Sequence, residues 1–263
     1  MIYSSLLFIY VFFPVSLLLY YVTPEKYRNI TLLALSVIFC GMNGAAYLLF
    51  LASYTALNFG FCHLIGKYRK NKFIAKGMLT LALVLDISVI FIFRSDFFSA
   101  YRELMSIPEV FFPVGISFFT LSAVGTLADV YSGRTEPEKN IVYFALYMMF
   151  FPRIIMGPPM RYSGFRKMLR HRKSGLADIG TGLSLFVKGF VKKVIAADTL
   201  FSLYKAASGV EIEKMPALTA WLGAVSFLLC FYFTISGFSD MGAGISCCFG
   251  FRISKSFNYP IFS

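Results

Sequence analysis

Long apolar runs broken by short clusters of charge organise this chain from end to end. The first run, Ile2 to Val22, ends at Thr23-Pro24-Glu25-Lys26-Tyr27-Arg28. A second, Asn29 to Gly41, is joined by the charge-free turn Gly41-Met42-Asn43-Gly44 to a third that ends near Gly66. The basic stretch Lys67-Tyr68-Arg69-Lys70-Asn71-Lys72 follows. Next come a fourth run from Ile74 to Phe93, a connection from Arg94 to Pro108 and a fifth run from Phe111 to Tyr131. Several of these runs approach the roughly 20 residues a helix needs to cross a hydrocarbon core, and they predict successive spanning helices. Ile2 to Val22 has neither a basic leading region nor a small-residue cleavage site, so it reads as a retained span rather than a signal peptide. Basic loops collect on the cytoplasmic face. An outside N-terminus places both early basic loops there.

The alternation fails after the polar turn Ser132 to Asn140. Ile141 to Gly157 is apolar enough to enter the bilayer. A full crossing, however, would leave Arg161, Arg166, Lys167, Arg170, Arg172 and Lys173 outside, against the positive-inside rule. The sequence therefore predicts that Ile141 to Gly157 enters and returns, with Gly157-Pro158-Pro159 breaking the helix. Irregular backbone survives at membrane depth only inside protein or against a wet cavity, so a cavity open toward the cytoplasm is expected. The fold class expected is an all-α integral membrane protein, a multi-span helical bundle with re-entrant and interfacial helices. It forms one domain over 1–263, solvated by lipid bilayer in the cell membrane.

Composition agrees: 58% of residues are hydrophobic and 14% charged, against about 25% charged in soluble domains, and mean hydropathy is +0.71. A net charge of +12 raises nucleic acid as a partner, but the cations form loop clusters and no coherent basic face, so none is expected. Cys40, Cys62, Cys230, Cys247 and Cys248 lie in or beside apolar helices without metal-ligand spacing. They read as small buried hydrophobes, and no metal is expected.

Polar residues on apolar helices supply the candidate chemistry. Gly115, Ser122, Thr126 and Asp129 fall on one stripe of a 3.6-residue period, read either as small-residue helix packing or as a tunnel wall. Thr181, Ser184, Lys188, Lys192, Thr199 and Ser202 share a face between Gly180 and Tyr204. A lysine facing lipid at mid-bilayer costs about 2.5–3.5 kcal/mol. Lys188 and Lys192 therefore face a cavity, or their helix lies along the cytoplasmic interface with the ammonium groups snorkelling. Asp240 shares a face with Tyr232, Ser236, Ser239 and Ala243 and is expected to face protein, with Lys188 or Arg153 as partner. His63 and His171 are the only histidines, and neither has a sequence setting suited to a base. No nucleophile elbow, P-loop or HExxH motif is present.

Phe112-Pro113-Val114-Gly115-Ile116-Ser117-Phe118-Phe119-Thr120 followed by Asp129-Val130-Tyr131 resembles the signature helix of membrane-bound O-acyltransferases. The resemblance is strongest to the branch that acetylates alginate and related surface polysaccharides; the D-alanyl transfer proteins of teichoic acids are more distant cousins. Ordered blocks extend it along the chain. They include Pro24 to Asn29, Asn140 through Phe151-Pro152, Gly157-Pro158, Arg161-Tyr162, Lys192 to Asp198, Ser236 to Met241, Phe249 to Arg252 and Phe257-Asn258-Tyr259-Pro260. The resemblance implies a cytosolic acyl donor such as a coenzyme A or carrier thioester, with no bound cofactor. It also implies an extracytoplasmic acetyltransferase partner and a polysaccharide acceptor.

Four positions depart from the family: Arg153 stands for its Gln in Phe-Pro-Gln, Ser122 for another Gln, and Thr234-Ile235 for Asp-Phe before Ser236-Gly237. Gly115, Ser122, Thr126, Asp129, Arg153, Lys188, Ser236, Ser239 and Asp240 are the expected tunnel-lining residues. The family's catalytic histidine follows the Asn-Tyr-Pro block and so lies beyond Ser263. The chain is thus expected to be truncated at its C-terminus and inactive by itself. Other readings are a non-catalytic family member acting as acyl conduit or partner, and an unrelated transporter with a re-entrant segment.

Overall fold

A computed structural model of the protein describes residues 3–94, 115–172, 174–211 and 215–253. Most of the Arg94 to Pro108 connection, the first residues of the Phe112 to Thr120 motif, Lys173 and the Asn258 to Pro260 block lie outside the described residues. Every regular element among the described residues is helical. A π-helical turn, Phe8–Phe12, leads into α1 (Phe13–Val22), followed by α2 (Arg28–Gly41), α3 (Ala45–Lys67), α4 (Lys72–Arg94) and α5 (Ile116–Ser132). Then come α6 (Ile141–Met149), α7 (Phe151–Ile154), α8 (Tyr162–His171), α9 (Leu176–Val191), α10 (Asp198–Ser208) and α11 (Ala217–Cys248). Three of these, α3, α4 and α11, are long and apolar enough to cross a membrane. The 23 residues of α3 reach about 35 Å at 1.5 Å per residue. The chain is an all-α membrane protein.

Two compact units divide it, one of Val15–Ile155 with Pro159–Arg172, the other of Ile2–Pro14, Met156–Pro158 and Lys173–Ser263. The first unit packs α2 to α8 around buried aromatics, among them Phe39, Phe144, Phe150, Phe151 and Phe165. Its basic loops gather at one end. The Arg69 guanidinium covers Gly133, and Pro137 packs on Gly66. Arg172 Nε donates to the Tyr20 hydroxyl at 2.9 Å, and Arg28 stacks on the same ring. Amphipathic α8 belongs to this end, with Tyr162, Phe165 and Leu169 buried and Lys167 and Arg170 exposed.

The Ile141 to Gly157 segment breaks earlier than the sequence predicts, at Phe150 (φ −57, ψ 104) rather than at Gly157. Pro152 is the reason: inside a continuous helix it would lack the N–H for the Met148 carbonyl, and its ring would clash with the preceding turn. The freed Phe151 N–H donates to Ser36 Oγ at 3.2 Å. The nine residues of α6 reach only about 14 Å, half of a hydrocarbon core. The chain then returns to the end it left, because the Tyr162 hydroxyl donates to Glu138 Oε2 at 2.7 Å.

In the second unit the stretch from α9 to α10 runs antiparallel beside α11. Gly182 meets Gly244 and Cys248, Gly189 meets Gly237 and Met241, and Gly223 meets Ala207. A Cβ on Gly189 would sit 2.6 Å from both the Gly237 carbonyl oxygen and the Met241 nitrogen. Only glycines let the two backbones approach this closely, as in membrane helix pairs generally.

Candidate functional site

Gly115 begins the first candidate site. Its φ of 80 is left-handed, a conformation glycine adopts without penalty, and a Cβ there would overlap the Ile154 carbonyl oxygen. The start of α5 is thereby pressed on α7, and Ser122, two turns further along α5, faces Arg153. Arg153 Nη2 donates to Ser122 Oγ at 3.0 Å, and its guanidinium carbon lies 4.7 Å from the Tyr147 ring centroid, within cation–π range. The side chain is 8% exposed, yet Nη1 is buried without a hydrogen-bond partner among the described residues. Among the described residues no carboxylate pairs with it. A buried guanidinium with a free N–H edge is a donor for a carbonyl oxygen, a carboxylate or a phosphate.

The stripe of α5 splits along its length. Thr126 Oγ1 returns its proton to the Ser122 carbonyl at 2.8 Å. Asp129 sits at the basic end, 3.7 Å from Arg134, where its carbonyl also accepts the Arg134 and Thr135 N–H groups. Of the predicted stripe, Ser122 is the member hydrogen-bonded to Arg153.

The second site lies between the π-helical turn Lys192–Ala197 and α11. Lys192 Nζ donates to Asp240 Oδ2 at 2.5 Å and to Ser236 Oγ at 3.0 Å. Asp240 is 5% exposed and Ser239 3%. The expected partners of Asp240, Lys188 and Arg153, give way to Lys192. Four residues turn a helix about 40° beyond one full turn, which carries Lys192 toward α11 and leaves Lys188 exposed. A carboxylate within an apolar helix is stabilised by such a pair and is costly without one. Near the end of α11 Asp178 holds Arg252 through Nε at 2.9 Å and Nη2 at 2.8 Å, an arrangement absent from the sequence reading.

No imidazole–carboxylate pair occurs among the described residues. His63 Nδ1 faces the Phe59 carbonyl at 3.2 Å, with the Phe59 ring 4.5 Å away. Both are groups of its own helix, and neither makes it a base. Tyr147 and Lys192 are the polar groups missing from the expected lining. Lys192 was legible as one of the lysines on its stripe; Tyr147 had no signal beyond its place in the apolar run before Pro152.

Similarity to known proteins runs through both sites. A probable alginate O-acetylase of Pseudomonas aeruginosa is 33% identical over 273 aligned residues, covering 100% of this chain and 52% of the relative. One from Azotobacter vinelandii is 32% identical over 100% of this chain and 54% of its own length. A peptidoglycan O-acetyltransferase of Helicobacter pylori is 25% identical over 99% of this chain and 56% of its own length. The chain spans about half the length of these curated relatives. No protein-family model matches it.

Proposed function

Because this chain belongs to the membrane-bound O-acyltransferase family over its whole length, we propose that it serves acyl transfer to hydroxyls of a cell-surface polysaccharide, with acetyl as the group transferred. The similarity of the whole of this chain to about half the length of proteins named for O-acetylation of alginate and of peptidoglycan carries this reading. The donor is a cytoplasmic thioester, of coenzyme A or a carrier, drawn to the basic end formed by the loops and α8. An extracytoplasmic acetyltransferase takes the group on to the polymer. The protein works as a multi-pass component of the cell membrane.

In the transfer the acceptor oxygen bonds to the thioester carbonyl carbon, the C–S bond breaks, and the thiol leaves with the proton that a base takes from the hydroxyl. Negative charge gathers on the carbonyl oxygen as the bond forms. A preorganised donor in a water-poor site stabilises that charge, and Arg153 Nη1, held in place through Ser122 and the Tyr147 ring, is the donor proposed. His63 is not assigned as the base, since its Nδ1 is turned to the Phe59 carbonyl of its own helix.

Changes to the chromosomal gene test this. Deleting the gene should remove alkali-labile acetate from the surface polysaccharide. Arg153→Met should lower it by about 10²-fold, the scale of one lost oxyanion donor, whereas His63→Ala should leave it unchanged. Undiminished acetate in the deletion strain would overturn the function. Undiminished acetate in Arg153→Met would overturn only the residue assignment.

A further inference from the structure

On the side of α5 away from Ser122, four oxygen-bearing side chains meet between three helices. Tyr54 and Asn58 come from α3, Asp86 from α4 and Thr120 from α5; they are 4%, 2%, 3% and 2% exposed. Asp86 lies about 20 Å of helix from the basic end at Lys72, near the middle of the spans. Asn58 commits both amide hydrogens, to Asp86 Oδ1 at 3.0 Å and to the Tyr54 carbonyl at 3.2 Å. That fixes the amide's orientation and leaves its oxygen as an acceptor. The Tyr54 hydroxyl lies close enough to Asp86, Asn58 and Thr120 to interact with each, though none of them meets it at full hydrogen-bond geometry. Among the described residues, Asp86 Oδ2, Asn58 Oδ1, Tyr54 Oη and Thr120 Oγ1 are thus buried without a partner at full hydrogen-bond geometry. Among the described residues no lysine or arginine pairs with Asp86.

Buried polar atoms in native proteins are satisfied, and a lone carboxylate at mid-bilayer is costly. Three occupants address these demands to different extents. A proton on Asp86 cancels the charge but makes only one new hydrogen bond, leaving other oxygens orphaned. A water can donate to Asp86 and Asn58 and accept from Tyr54 and Thr120, but the negative charge stays. A monovalent cation cancels the charge and takes all four oxygens as ligands. Oxygen-only donors select hard cations, and the single carboxylate balances one positive charge; a divalent ion would leave a net charge in the membrane.

We infer that Tyr54, Asn58, Asp86 and Thr120 form a site for one alkali cation that ties α3, α4 and α5 together at mid-membrane. The inference does not depend on the acyltransferase reading, and its test requires no activity.

Thermal unfolding of the chain in lipid nanodiscs decides it, with NaCl, KCl and N-methylglucamine chloride compared at equal ionic strength and pH. Unfolding should shift upward in at least one alkali salt relative to the organic cation. The shift should be about 5–10 °C at a cation concentration one hundred times the dissociation constant. Asp86→Asn keeps the side-chain size and abolishes the charge, so its unfolding temperature should be the same in all three salts. Thr120→Val removes one ligand and should move the half-effect concentration several-fold higher; it and the wild-type titration suffice should Asp86→Asn not fold. Equal unfolding temperatures for the wild type in all three salts would overturn the inference in favour of a bound water or proton. Stabilisation by acid that replaces any alkali effect would assign the site to a proton, and alkali dependence retained in Asp86→Asn would place the cation elsewhere.

Discussion

Glu138 is 4% exposed and engages both carboxylate oxygens. Oε2 accepts from the Tyr162 hydroxyl at 2.7 Å and pairs with Arg166 Nε at 3.0 Å, while Oε1 accepts the Lys139 and Asn140 N–H groups. Burial works to raise its pKa, but the Tyr162 hydroxyl, the backbone donors and Arg166 outweigh it and hold the carboxyl below the usual glutamate range. A lowered folded-state pKa means stability that is complete above the ordinary value of about 4.3 and is lost as pH falls through the folded value. Wild-type thermal stability should therefore drop steeply below about pH 4.3, and Glu138→Gln should lose that acid limb; parallel pH profiles for the two would show that the pair does not stabilise the fold. Asp240 makes a second residue-scale case. Asp240→Leu leaves Lys192 uncompensated, a loss of about 3 kcal/mol at the lower end for buried pairs, since the Lys192 side chain keeps 32% exposure. Thermal unfolding should drop in Asp240→Leu and recover most of the way in Asp240→Leu with Lys192→Met. An unchanged single variant would show that the ion pair has no structural weight.

The broken pair α6 and α7 carries the topology. Charge parity in the sequence requires a segment that enters and returns, and its cause, Pro152 in an apolar run, was in plain view. The position of the break was not, because Gly157-Pro158-Pro159 offers the stronger local signal. The earlier proline prevails since Ser36, from another helix, receives the Phe151 N–H. With α8 at the basic end, a cysteine at Ser163 should react with an impermeant maleimide in inside-out vesicles and not in intact cells. A cysteine at Asn43, in the opposite turn, should show the reverse, with the unsubstituted chain as blank. Strong labelling of Ser163→Cys from outside intact cells would reject the cytoplasmic placement of that end. The glycines of α9 and α11 show the complementary limit: Gly182, Gly189, Gly237 and Gly244 are seven apart within each helix, a spacing visible in sequence. Only the packed pair reveals that they face each other.

For the whole molecule, the sequence by itself determined the all-α membrane class, the helix sequence and the gathering of basic loops. Hydrophobic run length and loop charge are one-dimensional quantities, and a bilayer acts on them nearly independently of partner helices. It also marked Ser122, Arg153, Ser236 and Asp240 as polar residues out of place in apolar surroundings, because an uncompensated polar group in lipid is costly whichever neighbour relieves it. The tertiary structure alone decided who relieves whom. Arg153 meets Ser122 from 31 residues away, Lys192 meets Asp240 across 48, and Asp86 meets Asn58 across 28. Each pairing depends on the rotation of a helix about its axis and on how closely two backbones approach. Those are set by packing between side chains far apart in sequence, which no periodicity within one helix encodes.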